Sequence, residues 1–123
     1  MSVAGEVLKD KSQRNWRLAT RFCASGDREN AFNRFYYSLL QAVKAEGLAS
    51  GSYVEPANEH SMNIILAAKD ELQRRLLLVM RTYREKCDYE FHTVDAMYLR
   101  GKLPEMKKMF ACLHGLKEDG ALV

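Results

Sequence analysis

The stretch Asn30-Ala31-Phe32-Asn33-Arg34-Phe35-Tyr36-Tyr37-Ser38-Leu39-Leu40-Gln41-Ala42-Val43 decides the fold. On a helix, Ala31, Phe35, Leu39, Ala42 and Val43 form one apolar stripe, and Phe32, Tyr36 and Leu40 form another. Apolar residues on two sides predict a central helix with more than one packing partner. Among them stand Asn30, Asn33, Arg34, Tyr36 and Tyr37. Polar groups inside such a helix are costly unless they find partners. Three readings are open. They bond to Arg84 and Asp88 of a facing helix. Or Asn and Arg contact a nucleotide phosphate while Tyr36 or Tyr37 stacks on a base. Or the tyrosines are core residues whose hydroxyls reach the surface.

Outward from this stretch the chain divides at its few breakers. Residues 4–24 place Val7, Leu8, Trp16, Ala19, Phe22 and Cys23 at mixed steps of three and four, with Lys9, Lys11, Arg14, Arg17 and Arg21 largely elsewhere on the wheel. Ser25-Gly26-Asp27 stops that helix, and Ser25 or Asp27 caps the next, over 28–46. Gly47 is expected to end it, and 49–58 reads as an exposed loop. Residues 59–92 hold no Gly or Pro. Met62, Ile65, Leu66, Leu72, Leu76, Val79, Met80, Tyr83 and Cys87 can line one seam there, on a single helix ~50 Å long or on two helices meeting near Lys69-Asp70. After 94–99, Gly101 and Pro104 are expected to interrupt the chain before a last helix over 105–116. Residues 117–123 read as a frayed tail. Strand-like alternation is absent. The expected fold is all-α, an up-and-down bundle of four to five helices forming a single domain over 1–123, with its core at about 5–116.

Composition agrees. The chain has 123 residues, 47% hydrophobic and 28% charged, which suits one globular domain and excludes wholesale disorder. A net charge of +3 permits an acidic partner without demanding one. The arginines and lysines are scattered, with acids beside most of them, which reads as solvated faces. Three widely spaced cysteines, Cys23, Cys87 and Cys112, fit a reducing compartment. The start, Met1 to Glu6, lacks a signal-peptide pattern. The longest apolar run, Leu76-Leu77-Leu78-Val79-Met80, is far short of the ~20 residues of a membrane span. A cytoplasmic protein without membrane contact is expected.

Three histidines, His60, His92 and His114, form no metal-ligand spacing, and Cys112-x-His114 reads as a core thiol beside a surface imidazole. No phosphate loop, dinucleotide fingerprint or nucleophile elbow is present, so neither metal nor cofactor is expected. The segment from Arg81 to His92 is richer. On a helix, Arg84, Asp88 and His92 share one face. Asp88 can pair with Arg84 or hold His92 in one tautomer, and an Arg beside a His suits phosphodiester cleavage. The alternative is a solvated ion-pair ladder.

A helix ending near Gly26-Asp27, then Asn33-Arg34-Phe35-Tyr36-Tyr37-Ser38, then Arg84-x-x-Cys87-Asp88-Tyr89 resembles the HEPN superfamily, most closely its small stand-alone members. His60 matches a recurrent histidine there, and the resemblance covers about residues 12–115. It implies a dimerising helical bundle in a bacterial or archaeal cell, often paired with a minimal nucleotidyltransferase antitoxin. Many relatives are toxins or defence components that cut RNA without a metal. Their nuclease signature is Arg, four to six residues, then His, whereas seven residues separate Arg84 from His92. The expectation is therefore a homodimeric binding or regulatory module for RNA, a nucleotide or a nucleotidyltransferase. Its binding cluster comprises Asn30, Asn33, Arg34, Tyr37, His60, Asp88 and Tyr89. A metal-independent RNase using Arg84 and His92 and a structural module without ligand are the alternatives.

Overall fold

The computed structural model describes residues 3–53, 61–89 and 93–117. They form α1 (Val3–Ala24), α2 (Arg28–Ser50), α3 (Ser61–Leu66), α4 (Glu71–Tyr89) and α5 (Ala96–His114), and no strand occurs among them. The protein is an all-α bundle. Helix α2 packs against each of the other four helices. Both of its apolar stripes are buried, from Ala31 to Val43 on one and from Phe32 to Leu40 on the other. Trp16 of α1 meets Phe35 edge-on at 4.7 Å and stacks on Phe110 of α5 at 4.3 Å, so one indole joins three helices. Among the described residues, no helix is long and apolar enough to cross a membrane.

The α1–α2 pair rests on small residues. Gly5, Ser12 and Ala19 recur every seven positions in α1, as do Ala31, Ser38 and Ala45 in α2, and all six are buried. A seven-residue repeat keeps one line of side chains against an antiparallel neighbour, and small side chains let the two backbones approach. The Ser12 hydroxyl donates to the Ser38 carbonyl at 2.6 Å, and the Ser38 hydroxyl donates to the Ser12 carbonyl at 2.7 Å. That exchange fixes the register. Gly26, at φ +83°, makes the turn between the helices, and the Asp27 carboxylate accepts from the Asn30 amide to cap α2.

The breakers act differently from their expected roles. Helix α2 continues through Gly47 and stops at Gly51, whose φ of +78° closes the helix. Gly47 serves a close approach instead. Its carbonyl accepts from the Tyr53 amide, and a Cβ placed on it would lie 2.7 Å from the Tyr53 Cβ. Tyr53, expected in an exposed loop, is buried, while 54–58 of that loop fall outside the described residues. Likewise α5 runs unbroken through Gly101 and Pro104, with Asp95 as its cap. Both residues are exposed, and Met106, Met109 and Phe110 anchor the following turns in the core. Between 59 and 92 the two-helix alternative holds. The chain breaks after Leu66, and Asp70 restarts it by accepting from the Gln73 amide at 3.1 Å. Arg74 ties the break by donating to the Ala68 carbonyl through Nε and Nη2. Of the expected seam, Ile65, Leu76 and Met80 are buried, but Leu66, Leu72 and Val79 face solvent. The expected frayed tail beyond residue 117 lies outside the described residues.

Two glycine substitutions should separate these roles. Gly47→Ala is expected to lower stability by about 1–3 kcal/mol through overpacking against Tyr53. Gly101→Ala, with open space around it, should raise stability by about 0.5–1 kcal/mol because helix interiors disfavour glycine. Urea titrations followed by circular dichroism would check both signs.

Candidate functional site

Asn33, Tyr36 and Tyr37 lie at helical steps of three and four on α2, so they share a face, and α4 crosses that face with Arg84. The Arg84 Nε donates to the Asn33 Oδ1 at 2.9 Å. Its guanidinium sits 5.0 Å from the Tyr37 ring centre and 5.7 Å from that of Tyr36. Two electron-rich faces and one amide oxygen thereby hold a cation at a half-buried position. Among the described residues no carboxylate pairs with it, and Asp88, one turn on, is exposed and does not reach it. Arg84 turns inward to α2 and Asp88 outward to water, so no Arg84–Asp88 ladder forms.

Tyr36 is 1% exposed, and its hydroxyl has no hydrogen-bond partner among the described residues. Burial pushes its pKa up, although Ser61, Arg81 and Arg84 pull the other way. Ser61 is close enough to ease that shift without reaching hydrogen-bond geometry. Arg81 donates through Nε to the Ser61 hydroxyl at 3.3 Å and pairs with Glu85 at 3.2 Å. Tyr37 lies at the surface, its ring edge-on to Tyr36. Arg81, Arg84, Asn33, Tyr36 and Tyr37 thus lie along one junction of α2, α3 and α4, with Arg81 already paired to Glu85 and Arg84 not paired to a carboxylate among the described residues. Such a set can hold a phosphate or another oxyanion through charge-assisted hydrogen bonds.

Other residues of the expected cluster lie apart. Asn30 closes the start of α2, donating through Nδ2 to Asp27 at 2.7 Å. Arg34 projects about 100° away from Asn33 around the helix and donates to the Asn15 Oδ1 at 3.0 Å, while Asn15 donates to Gln41. Those bonds lace α1 to α2. Tyr89 is 81% exposed at the end of α4. His60 and His92 lie outside the described residues.

A second polar cluster escaped the sequence reading. Ser12 is wholly buried, and its Oγ lies 2.9 Å from the His114 Nε2. Because the single Ser12 proton goes to the Ser38 carbonyl, Nε2 must carry the proton of that contact. Nδ1 then accepts from the Gln13 amide at 3.4 Å. This hydroxyl points away from the imidazole and no solvent reaches it. The pair is therefore a structural tie and not an activated nucleophile. The Cys112–His114 expectation inverts accordingly: Cys112 is exposed and His114 is partly buried against Phe110. Among the described residues, no three His, Cys, Asp or Glu side chains gather to hold a metal ion. The seven-residue spacing of Gly5, Ser12 and Ala19 marks only the α1–α2 line on which Ser12 lies, and no sequence signal points to His114.

Comparison with protein-family models, curated proteins and solved structures gave no match to this chain.

Burial, with Lys9 adding to it, lowers the His114 pKa from 6.5 to about 4, against an opposing pull from Glu46. The unfolded chain therefore takes up a proton near pH 6.5 and the folded protein only near 4. Stability is fully present above pH 6.5 and falls as pH drops toward 4, by at most about 3 kcal/mol and by less because the ring is partly wet. His114→Gln should flatten this part of a melting-temperature profile measured from pH 7.5 to 4.

Proposed function

We propose that the chain is a HEPN-like helical domain acting as a dimeric binding or regulatory module, and that it binds a phosphate-bearing ligand, a nucleotide or RNA, at Arg84. One observation carries the reading: the Arg84 guanidinium is braced by Asn33, Tyr36 and Tyr37, with no carboxylate among the described residues to neutralise it. Beyond tying α4 to α2, the brace leaves a fixed, uncompensated cation, which is what an anionic ligand needs. Tyr37, at the surface beside it, offers a ring on which a base can stack. The resemblance supports the rest of the proposal, a homodimer in the cytoplasm whose partner is a minimal nucleotidyltransferase.

The metal-independent RNase is the second reading. In it Arg84 stabilises charge on the phosphorane, and His92 moves protons. The brace on Arg84 favours it equally, because a fixed cation is what such a transition state needs.

A fluorescent oligoribonucleotide incubated with the protein in EDTA tests both. We expect saturable binding that Arg84→Ala weakens about tenfold or more, as loss of a charge-assisted contact should, and that Lys117→Ala leaves unchanged. Cleavage abolished by both Arg84→Ala and His92→Ala would establish the RNase. Absence of binding and of cleavage with a folded protein would refute the Arg84 site.

A further inference from the structure

Arg84 is one of two arginines near Tyr37 that bond to an asparagine oxygen where a carboxylate would be the usual partner. The other is Arg34. Its Nη1 donates to the Asn15 Oδ1 at 3.0 Å, as the Arg84 Nε does to the Asn33 Oδ1 at 2.9 Å. A neutral amide oxygen orients a guanidinium without cancelling its charge. Neither arginine pairs with a carboxylate among the described residues. Helical geometry sets their order around α2. Tyr37 stands about 40° from Asn33 on one side and about 60° from Arg34 on the other. The Tyr37 ring, at the surface, is therefore flanked by an oriented cation on each side.

The charge on the Arg34 side is not balanced by acids. Residues 11–24 of α1 and 30–45 of α2, which pack on each other along the small-residue line, contain no Asp or Glu. The acids that border these stretches are engaged: Asp10 with Arg14 at 2.9 Å, Glu46 with Lys9 at 3.5 Å, Asp27 at the cap of α2, and Glu29 with the Val94 amide. On the α4 side Glu85 pairs with Arg81, and Asp88 is exposed without reaching Arg84. Lys11, exposed and one turn before Asn15, continues the cations onto α1. The positive surface thus runs from Arg84 past Arg34 and does not end at a single guanidinium.

A mononucleotide has a phosphate on one side of its nucleoside, whereas a nucleoside within a strand has one on both. A ring with a cation to either side matches the second. We propose that Arg34 is a second phosphate contact, and that the site takes a nucleoside flanked by two phosphates, as an unpaired unit of a nucleic-acid single strand. The base stacks on Tyr37, and the two phosphates meet Arg84 and Arg34. The proposal rests on the reading of Arg84 as a phosphate contact and adds the class of ligand. A duplex is a poor fit, because its bases are already paired and stacked. A mononucleotide leaves Arg34 unused.

The probe is a fluorescent oligouridylate of about eight nucleotides, methylated on its ribose hydroxyls so that it cannot be cut, with binding read by anisotropy. Its competitors are uridine monophosphate, uridine phosphorylated on both chain-forming oxygens, and a duplex of the same length. We expect the bisphosphate to compete at least about tenfold more strongly than the monophosphate, as a second charge-assisted contact should. Arg34→Gln keeps a donor for Asn15 and removes the charge. It should bring the bisphosphate to the level of the monophosphate, leave the monophosphate unchanged and keep the melting temperature. Arg34→Lys, which restores the charge, should regain most of the difference. The slope of log affinity against log salt for the strand should fall by about 0.7 in Arg34→Gln and by as much in Arg84→Ala, one phosphate each. Equal competition by the two uridine phosphates, or by the duplex and the unlabelled single strand, would overturn the proposal. The two readings fail differently. If Arg84→Ala weakens the strand and Arg34→Gln does not, Arg84 stays a phosphate contact and the second contact is refuted. If Arg84→Ala has no effect, both fall.

Discussion

The close approach of α1 and α2 is the constraint on which the bundle depends. Side chains no larger than serine at Gly5, Ser12, Ala19, Ala31, Ser38 and Ala45 bring two backbones near enough for hydroxyls to reach carbonyls across the interface. Once that register is set, the remaining faces of α2 pack on α3, α4 and α5, with Phe32 meeting both Tyr83 and Tyr98. Trp16 is set between Phe35 and Phe110. A methyl group too many along this line would separate the helices and move every element packed on them.

The same register accounts for the polar residues of α2. Ser38 faces the Ser12 carbonyl, Gln41 accepts from Asn15, Arg34 reaches Asn15, and Asn33 on another face takes Arg84. Each of these side chains has a partner, which offsets the cost of burying it. The buried Tyr36 hydroxyl has none among the described residues and sits beside two arginines.

Much of this was legible in the sequence, and the failures have physical causes. The two stripes of α2 were readable because large apolar residues report helix period directly. The α1–α2 repeat was not, because Gly, Ser and Ala carry little hydrophobic signal and mark proximity only once a neighbour is known. Gly47 and Pro104 were misread for a related reason. A helix tolerates either when flanking turns are anchored, and Met106 and Phe110 anchor α5 from the far side of its proline. At the site, the Asn33–Arg84 bond was among the open readings, since both residues fall on facing helices. Asp88 failed to join it because helical spacing places residues on a face without saying which face meets water. His114 was unreadable as a partner of Ser12, because no local pattern links residues 102 positions apart.

That long separation matters for the order in which the chain can assemble. Ser12 and Ser38 are 26 positions apart and joined by a tight turn, so the first two helices can close while the rest is still being synthesised. Phe110 and His114 come last. Until they arrive, the outer face of Trp16 has no aromatic lid, and His114 has yet to reach Ser12. A ribosome-bound chain lacking its last helix therefore exposes a sticky aromatic edge, and this is the interval in which a chaperone has most to protect.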